Sequence, residues 1–258
     1  GSSYTLMVFL TSVFLGLAMG AGAVFSIYFG KKDIASFRSA AAHSFALIML
    51  TALVINILIY VFTDDILKFL QVPTDVYAPM KQYLNIIFAG LMATALYNFL
   101  SCLLRAVGNS VTPLWFLGIA AFLNIGLDIL FVIYLDYGIS GAAFATVIAQ
   151  YVSAIGLLIY TLIFCREFVP RREDVKWNGK IFAQICHLSV MTCIQQSVMN
   201  LGILLVQRLV DSFGAVTMAA FAAAVKIDSF AYLPVQDFGN AFSTFAAQNY
   251  GAGQSGRI

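Results

Sequence analysis

Residues 113–135 read PLWFLGIAAFLNIGLDILFVIYL, 23 positions with a single charged side chain, Asp128. A helix needs about 20 apolar residues to cross the roughly 30 Å of hydrocarbon in a bilayer, and this run is long enough. Thr112 followed by Pro113 marks its start, since Pro at the first helical position gives up an N–H that would lack a partner anyway. Six further stretches meet the same requirement, at about residues 4–30, 35–62, 80–105, 139–165, 181–208 and 215–249. Charged or Gly/Pro/Asn-rich breaks separate them, among them Thr63 to Pro79, Asp136 to Ser140 and Arg166 to Lys180. Pro234 lies inside the last span, where a kink or unwound turn is expected.

Composition agrees with the spans. Of 258 residues 61% are hydrophobic and 10% charged, against about 45–50% and about 25% in a soluble domain. A water-soluble globule is excluded, and the fold class is an all-α polytopic membrane protein with about seven transmembrane helices. A net charge of +2 over 14 basic residues gives no phosphate-tracking patch, so nucleic acid is not a partner. The lipid bilayer is. The four cysteines (Cys102, Cys165, Cys186, Cys193) form no CxxC pair, and His43 and His187 are far apart, so packed thiols are expected rather than a zinc site. Residue 1 is Gly, no signal peptide is evident, and Gly1-Ser2-Ser3 suits a loop leading into a helix; the chain reads as part of something longer.

Ten of the fourteen Lys and Arg fall on one side of the spans: Lys31, Lys32, Arg38, Arg105, Arg166, Arg171, Arg172, Lys176, Lys180 and Arg257. Lys68, Lys81 and Arg208 fall on the other, and Lys226 within a span. The positive-inside rule makes the first side cytoplasmic, and a multi-pass location in the plasma membrane, the bacterial inner membrane, is expected. The stretch REFVPRREDVKWNGK, 166–180, is the strongly polar segment and the expected linker between two helical bundles, 1–165 and 181–258.

Ionisable groups at membrane depth are costly and point to function. Asp128 is the sharpest, in Asn124-Ile-Gly-Leu-Asp128. Spacing of four puts Asn124 and Asp128 on one helix face, one turn apart. Asp128 lies six residues before Tyr134, about 9 Å from the outer end, and Thr146 lies six residues into the returning helix, at the same depth. Gln150 lies one turn deeper, level with Asn124. Such a cluster suits Na⁺, which prefers oxygen ligands, and equally a proton, since desolvation raises a buried carboxyl pKa. Lys226 and Asp228, two apart, do not face each other and are candidates for lining a cavity, as is Asp237, three residues after Pro234. Gln195, Gln196 and Gln207 either line a cavity or hold helices together. His43 reads as a satisfied interhelical residue. No nucleotide-binding loop, HExxH or GxSxG constellation is present, so the protein is not expected to be an enzyme and needs no cofactor beyond a coupling ion.

Four stretches stand out together: Gly22 to Asp33 (GAVFSIYFGKKD), Arg105 to Pro113 (RAVGNSVTP), Asn124 to Phe131 with Gly141 to Gln150, and Ala219 to Gly253. In this order and spacing they resemble the MATE family, multidrug and toxic compound extrusion transporters. The resemblance implies a twelve-helix, two-lobe fold of which this chain is helices two to eight: 1–165 as the first lobe without its first helix, 166–180 as the linker, and 181–258 as the start of the second lobe. It implies a monomeric, cation-coupled (Na⁺ or H⁺) antiporter of amphipathic, often cationic drugs working by alternating access, with Asn124, Asp128 and Thr146 as the coupling site. The alternative is a lipid-linked oligosaccharide flippase of the wider superfamily. Phe29-Gly30 and Tyr250-Gly251 occupy comparable helix ends in the two lobes.

Overall fold

The computed structural model describes the backbone of residues 2–69, 74–211 and 213–258. The side chains of Gln207 and Arg208 lie outside the described residues. Among the described residues eight α-helices follow one another: α1 Ser2–Gly30, α2 Ile34–Phe69, α3 Thr74–Ala89, α4 Leu91–Ala106, α5 Val111–Asp128, α6 Gly138–Phe164, α7 Gly179–Asp211 and α8 Ala215–Gly251. A π-helix, Ile129–Tyr134, continues α5. Five described stretches are long and apolar enough to cross a bilayer: Leu10–Gly30, Ile34–Lys68, Tyr77–Ala106, Val111–Tyr134 and Gly138–Phe164. These match the first five spans read from the sequence. With 33 and 37 residues, α7 and α8 also have the length to cross.

The structure differs from the sequence reading in three places. The stretch from Thr63 to Pro79, expected as a break, is largely helical: α2 bends at Phe62 (φ −101°, ψ 16°) and runs on to Phe69, and α3 takes Pro79 inside its first turns. The span expected at 80–105 is two helices meeting at Gly90, whose N–H bonds to the Ile87 carbonyl at 2.9 Å. Of the kink or unwound turn expected at Pro234, the unwound form is absent, because α8 runs through it. Helix continuity depends on how neighbours support freed backbone groups, and a lone proline does not report that.

The centre of the bundle is α1, which packs against α2, α4, α7 and α8. Small residues make this possible. A Cβ built on Gly16 would come within 2.8 Å of the Cys193 backbone, and one on Gly20 within 2.7 Å of Leu188. The Ser189 hydroxyl then donates to the Leu17 carbonyl at 3.1 Å and closes the α1–α7 seam. Around α1 the core holds Phe14, Phe25, Phe37, Phe88, Leu91, Phe99 and Leu104. The rings of Phe25 and Phe37 lie 5.6 Å apart and those of Phe25 and Phe99 6.0 Å. Leu50, Phe122, Ile133 and Phe164 instead stand exposed on the outside, the arrangement lipid permits and water penalises. The Lys31–Asp33 turn caps α2, whose Ser36 N–H donates to the Asp33 carboxylate at 3.0 Å.

Candidate functional site

On α5, Asn124 and Asp128 occupy the last two turns before the backbone widens into the π-helix. There the Leu135 N–H reaches five residues back to the Leu130 carbonyl at 3.0 Å. Single π turns inside membrane helices often sit at functional positions, because the wider turn re-aims the residues beside it. The sequence carries no signal for this turn. Across from it, α6 packs along α5, with Gly141 against Phe131.

Two members of the expected trio touch. The Asn124 Nδ2 lies 3.5 Å from the Thr146 hydroxyl oxygen, which spends its own proton on the Ala142 carbonyl at 3.0 Å. The Thr146 oxygen therefore offers lone pairs rather than a donor. Asp128 is half-buried, and its Oδ1 is fully buried with no hydrogen-bond partner among the described residues. A buried carboxylate oxygen without a partner is expensive, so it calls for a proton or a cation. The hard oxygen donors of Asp128, Asn124 and Thr146 fit either. A cluster of His, Cys, Asp or Glu that would hold a transition metal is absent among the described residues.

The remaining candidates fall in different surroundings. The Gln150 side-chain oxygen is also buried and unpartnered, but it lies against the Gly90 backbone at the α3–α4 junction, occupying the space a Cβ there would need. Gln196 is buried between α7 and α1, its Nε2 3.7 Å from the Met19 sulfur, whereas Gln195 is exposed. Lys226 and Asp228 are exposed on α8. Asp237 lines a cavity of about 550 Å³ between α8 and the facing ends of α4 and α5, together with Tyr97, Arg105, Asn240, Thr244 and Gln248. The Arg105 guanidinium is steadied by the Ser101 hydroxyl at 2.7 Å. His43 has both ring nitrogens engaged, one at 2.7 Å from the Ser39 carbonyl and the other accepting the Asn178 N–H at 3.3 Å.

At the basic end of the bundle, α1 and α8 cross with reciprocal contacts. A Cβ on Gly30 would fall on the Gln248 carbonyl oxygen, and one on Gly251 would fall on the Ile27 carbonyl oxygen. Each glycine thus meets the residue three before its counterpart, a two-fold relation. The Gln248 amide also donates to the Ala106 carbonyl at 2.9 Å, and Tyr28 donates to Gln184 at 3.1 Å. Away from this crossing α8 stands clear: every described side chain from 223 to 239 except Gln236 is exposed. The matching helix ends could be noticed in the sequence, but Gln248 as a link between distant helices could not.

A family model described as MatE matches residues 1–130 and 188–258. The probable multidrug resistance protein YpnP of Bacillus subtilis is 31% identical over 260 residues, covering 99% of this chain and 57% of its own length. The probable multidrug resistance protein NorM of Thermotoga maritima is 26% identical over 95% of this chain and 54% of its own. The chain therefore spans a little over half the length of these relatives. Among solved structures, the Vibrio cholerae MATE transporter VcmN in its bent form superposes with a TM-score of 0.88 at 22% identity, covering 98% of this chain and 57% of that one. A MOP superfamily transporter of Pyrococcus furiosus, described by a binding pocket of reverse polarity, gives 0.88 at 20% identity, over 97% of this chain and 56% of that one. At these identities the structural likeness speaks to the fold.

Proposed function

The chain belongs to the MATE family, whose members are transporters, and on that premise we propose that the full-length protein is a secondary active exporter of amphipathic, often cationic compounds, coupled to Na⁺ or H⁺. The observation that carries the coupling is the buried, unpartnered Asp128 Oδ1 at the α5–π junction, one helical turn from Asn124, which touches Thr146. The export of drugs is supported by the relatives named as multidrug resistance proteins. In this reading helices α1–α6 belong to one lobe, 166–180 is the linker, and α7 and α8 begin the second lobe of a twelve-helix monomer in the plasma membrane. The crossing at Gly30 and Gly251 closes the cytoplasmic side, and the cavity beside Asp237 lies on the substrate path.

Binding of a cation or proton relieves the orphaned oxygen in whichever packing of α5 and α6 encloses it. A ligand shifts an equilibrium only through its differential affinity for the two states. The π turn is the element able to change register here, so the charge state of Asp128 would be read out as a repacking of α5 against α6. The flippase reading asks for a broadly cationic cavity, whereas the lining of the described one holds the single cation Arg105, the acid Asp237, and otherwise neutral polar and apolar residues. The test is efflux from vesicles containing the full-length protein, with Na⁺ and pH gradients imposed separately. Asp128→Asn is expected to abolish gradient-driven efflux while leaving the protein folded. Undiminished coupled efflux in that variant would remove the proposal.

A further inference from the structure

The segment 166–180 does not hang free between α6 and α7. Phe168 inserts its ring 5.9 Å from Phe29 and 5.2 Å from Phe37, Asp174 is paired with Arg38 at 2.8 Å, and the Asn178 N–H is held by His43. These three ties lay the segment along α2. They leave Val175 62% and Trp177 71% exposed, at the rim of an apolar groove of about 330 Å³ whose floor is Ala42, Ala46, Leu47 and Leu50 of α2 and Phe182 of α7. His43 borders the groove but turns its polar atoms to Ser39 and Asn178.

The depth of this groove follows from α2. That helix has 36 residues, about 54 Å at 1.5 Å each, so part of it must leave the hydrocarbon. Its far end is marked by Asp64, which is paired with Lys81 at 2.6 Å and accepts the Tyr77 hydroxyl at 2.8 Å. Counting back roughly 30 Å of hydrocarbon, or about 20 residues, reaches Ser44. The groove therefore straddles the boundary: Ala46 to Leu50 lie at acyl-chain depth, Trp177 sits beside His43 at the interface where tryptophan is favoured, and the linker's charges lie outside. On that outer side Lys176 and Lys180 are exposed and without an ion-pair partner among the described residues, whereas Asp174 is already neutralised by Arg38.

We propose that this groove is a binding site for one anionic phospholipid of the cytoplasmic leaflet, an acyl chain lying on Leu47 and Leu50 under Trp177 and the phosphate headgroup meeting Lys176 and Lys180. The apolar floor alone would accept any lipid. The two unpaired ammonium groups above it select a negative headgroup, each basic residue near an anionic surface favouring it about fivefold. The site rests on the linker's docking against α2 and not on the transport reading.

The experiment uses the full-length protein in nanodiscs containing phosphatidylcholine or phosphatidylglycerol brominated on the acyl chains. The Trp177 signal is taken as the fluorescence difference between wild type and Trp177→Phe. Brominated phosphatidylglycerol is expected to quench Trp177 at a mole fraction roughly thirtyfold lower than brominated phosphatidylcholine requires. In the Lys176→Gln/Lys180→Gln variant, whose changes are confined to exposed side chains, the two lipids are expected to quench alike. Equal quenching in the wild-type protein would overturn the headgroup selection. No quenching by either lipid would show that protein, from elsewhere in the chain or a second copy, covers the groove, and would overturn the site altogether.

Discussion

Replacing Gly30 with alanine tests the crossing of α1 and α8 most directly. The new Cβ would land on the Gln248 carbonyl oxygen, with the carbonyl carbon at 2.8 Å and the Ala252 nitrogen at 3.1 Å. The obstacle is backbone, so no rotamer change relieves it. Ordinary carbon contacts begin near 3.5 Å, and the helices must part by about 1 Å. Overpacking of this kind typically costs about 1–3 kcal/mol. Taking about 2 kcal/mol, the balance between the closed crossing and a parted one shifts roughly thirtyfold toward the parted form. Gly251→Ala raises the same conflict from the other side, its Cβ lying 2.9 Å from the Ile27 carbonyl carbon. Parting the helices once relieves both, so the double variant is expected to cost less than the sum of the singles, with a coupling of at least about 0.5 kcal/mol. The assay is thermal unfolding of the full-length protein in nanodiscs, together with the distance between spin labels at Lys31 and Gln254, which are exposed beyond the two helix ends. Gly118→Ala is the control, because nothing lies within 4 Å of a Cβ there. Unchanged melting and label distance in Gly30→Ala, or strict additivity in the double variant, would refute the reasoning.

Two further outcomes follow from the basic end. Asp33→Ala is expected to cost about 1 kcal/mol by removing the α2 cap; the Ser36 hydrogen bonds hold the Asp33 carboxyl below its ordinary range. A depressed carboxyl contributes stability above its unfolded pKa and loses it as pH falls through the folded one, so melts of wild type and variant should converge below about pH 4. His43→Leu leaves the Asn178 N–H without its acceptor beside a buried ring site and is expected to destabilise by about 1–3 kcal/mol, read by hydrogen exchange as faster opening of the 166–180 segment.

The contact of Asn124 with Thr146 and the turning of Gln150 toward Gly90 have one physical origin. Helical spacing tells which residues share a face and at what height, and α5 and α6, joined by a short turn, must lie side by side. The pairing of Asn124 with Thr146 was therefore within reach of counting. Gln150 shares the height of Asn124, yet its amide turns to Gly90, a residue in a different span whose backbone leaves a hole of the right size. Nothing in the residues around Gln150 announces that hole. The π turn after Asp128 was hidden for a related reason: ILFVIY is apolar in any helical register, so its composition does not reveal which one it takes.

By itself the sequence determined that the chain lives in a bilayer, where five of its spans run, which ends carry the positive charge, and that Asp128 is the single charge in its apolar run. Those are local properties, set by the hydrocarbon thickness and the cost of burying charge. Only the tertiary structure decided that α1 would be the central helix, that Gly30 and Gly251 would meet with their backbones in contact, and that the 166–180 segment would be pinned to α2. In lipid the apolar faces of a helix have no solvent to flee, so hydrophobicity does not choose its neighbour. That choice falls to shape, to where a missing side chain lets two backbones approach, and to single bonds such as Gln248 to Ala106 between residues more than a hundred positions apart.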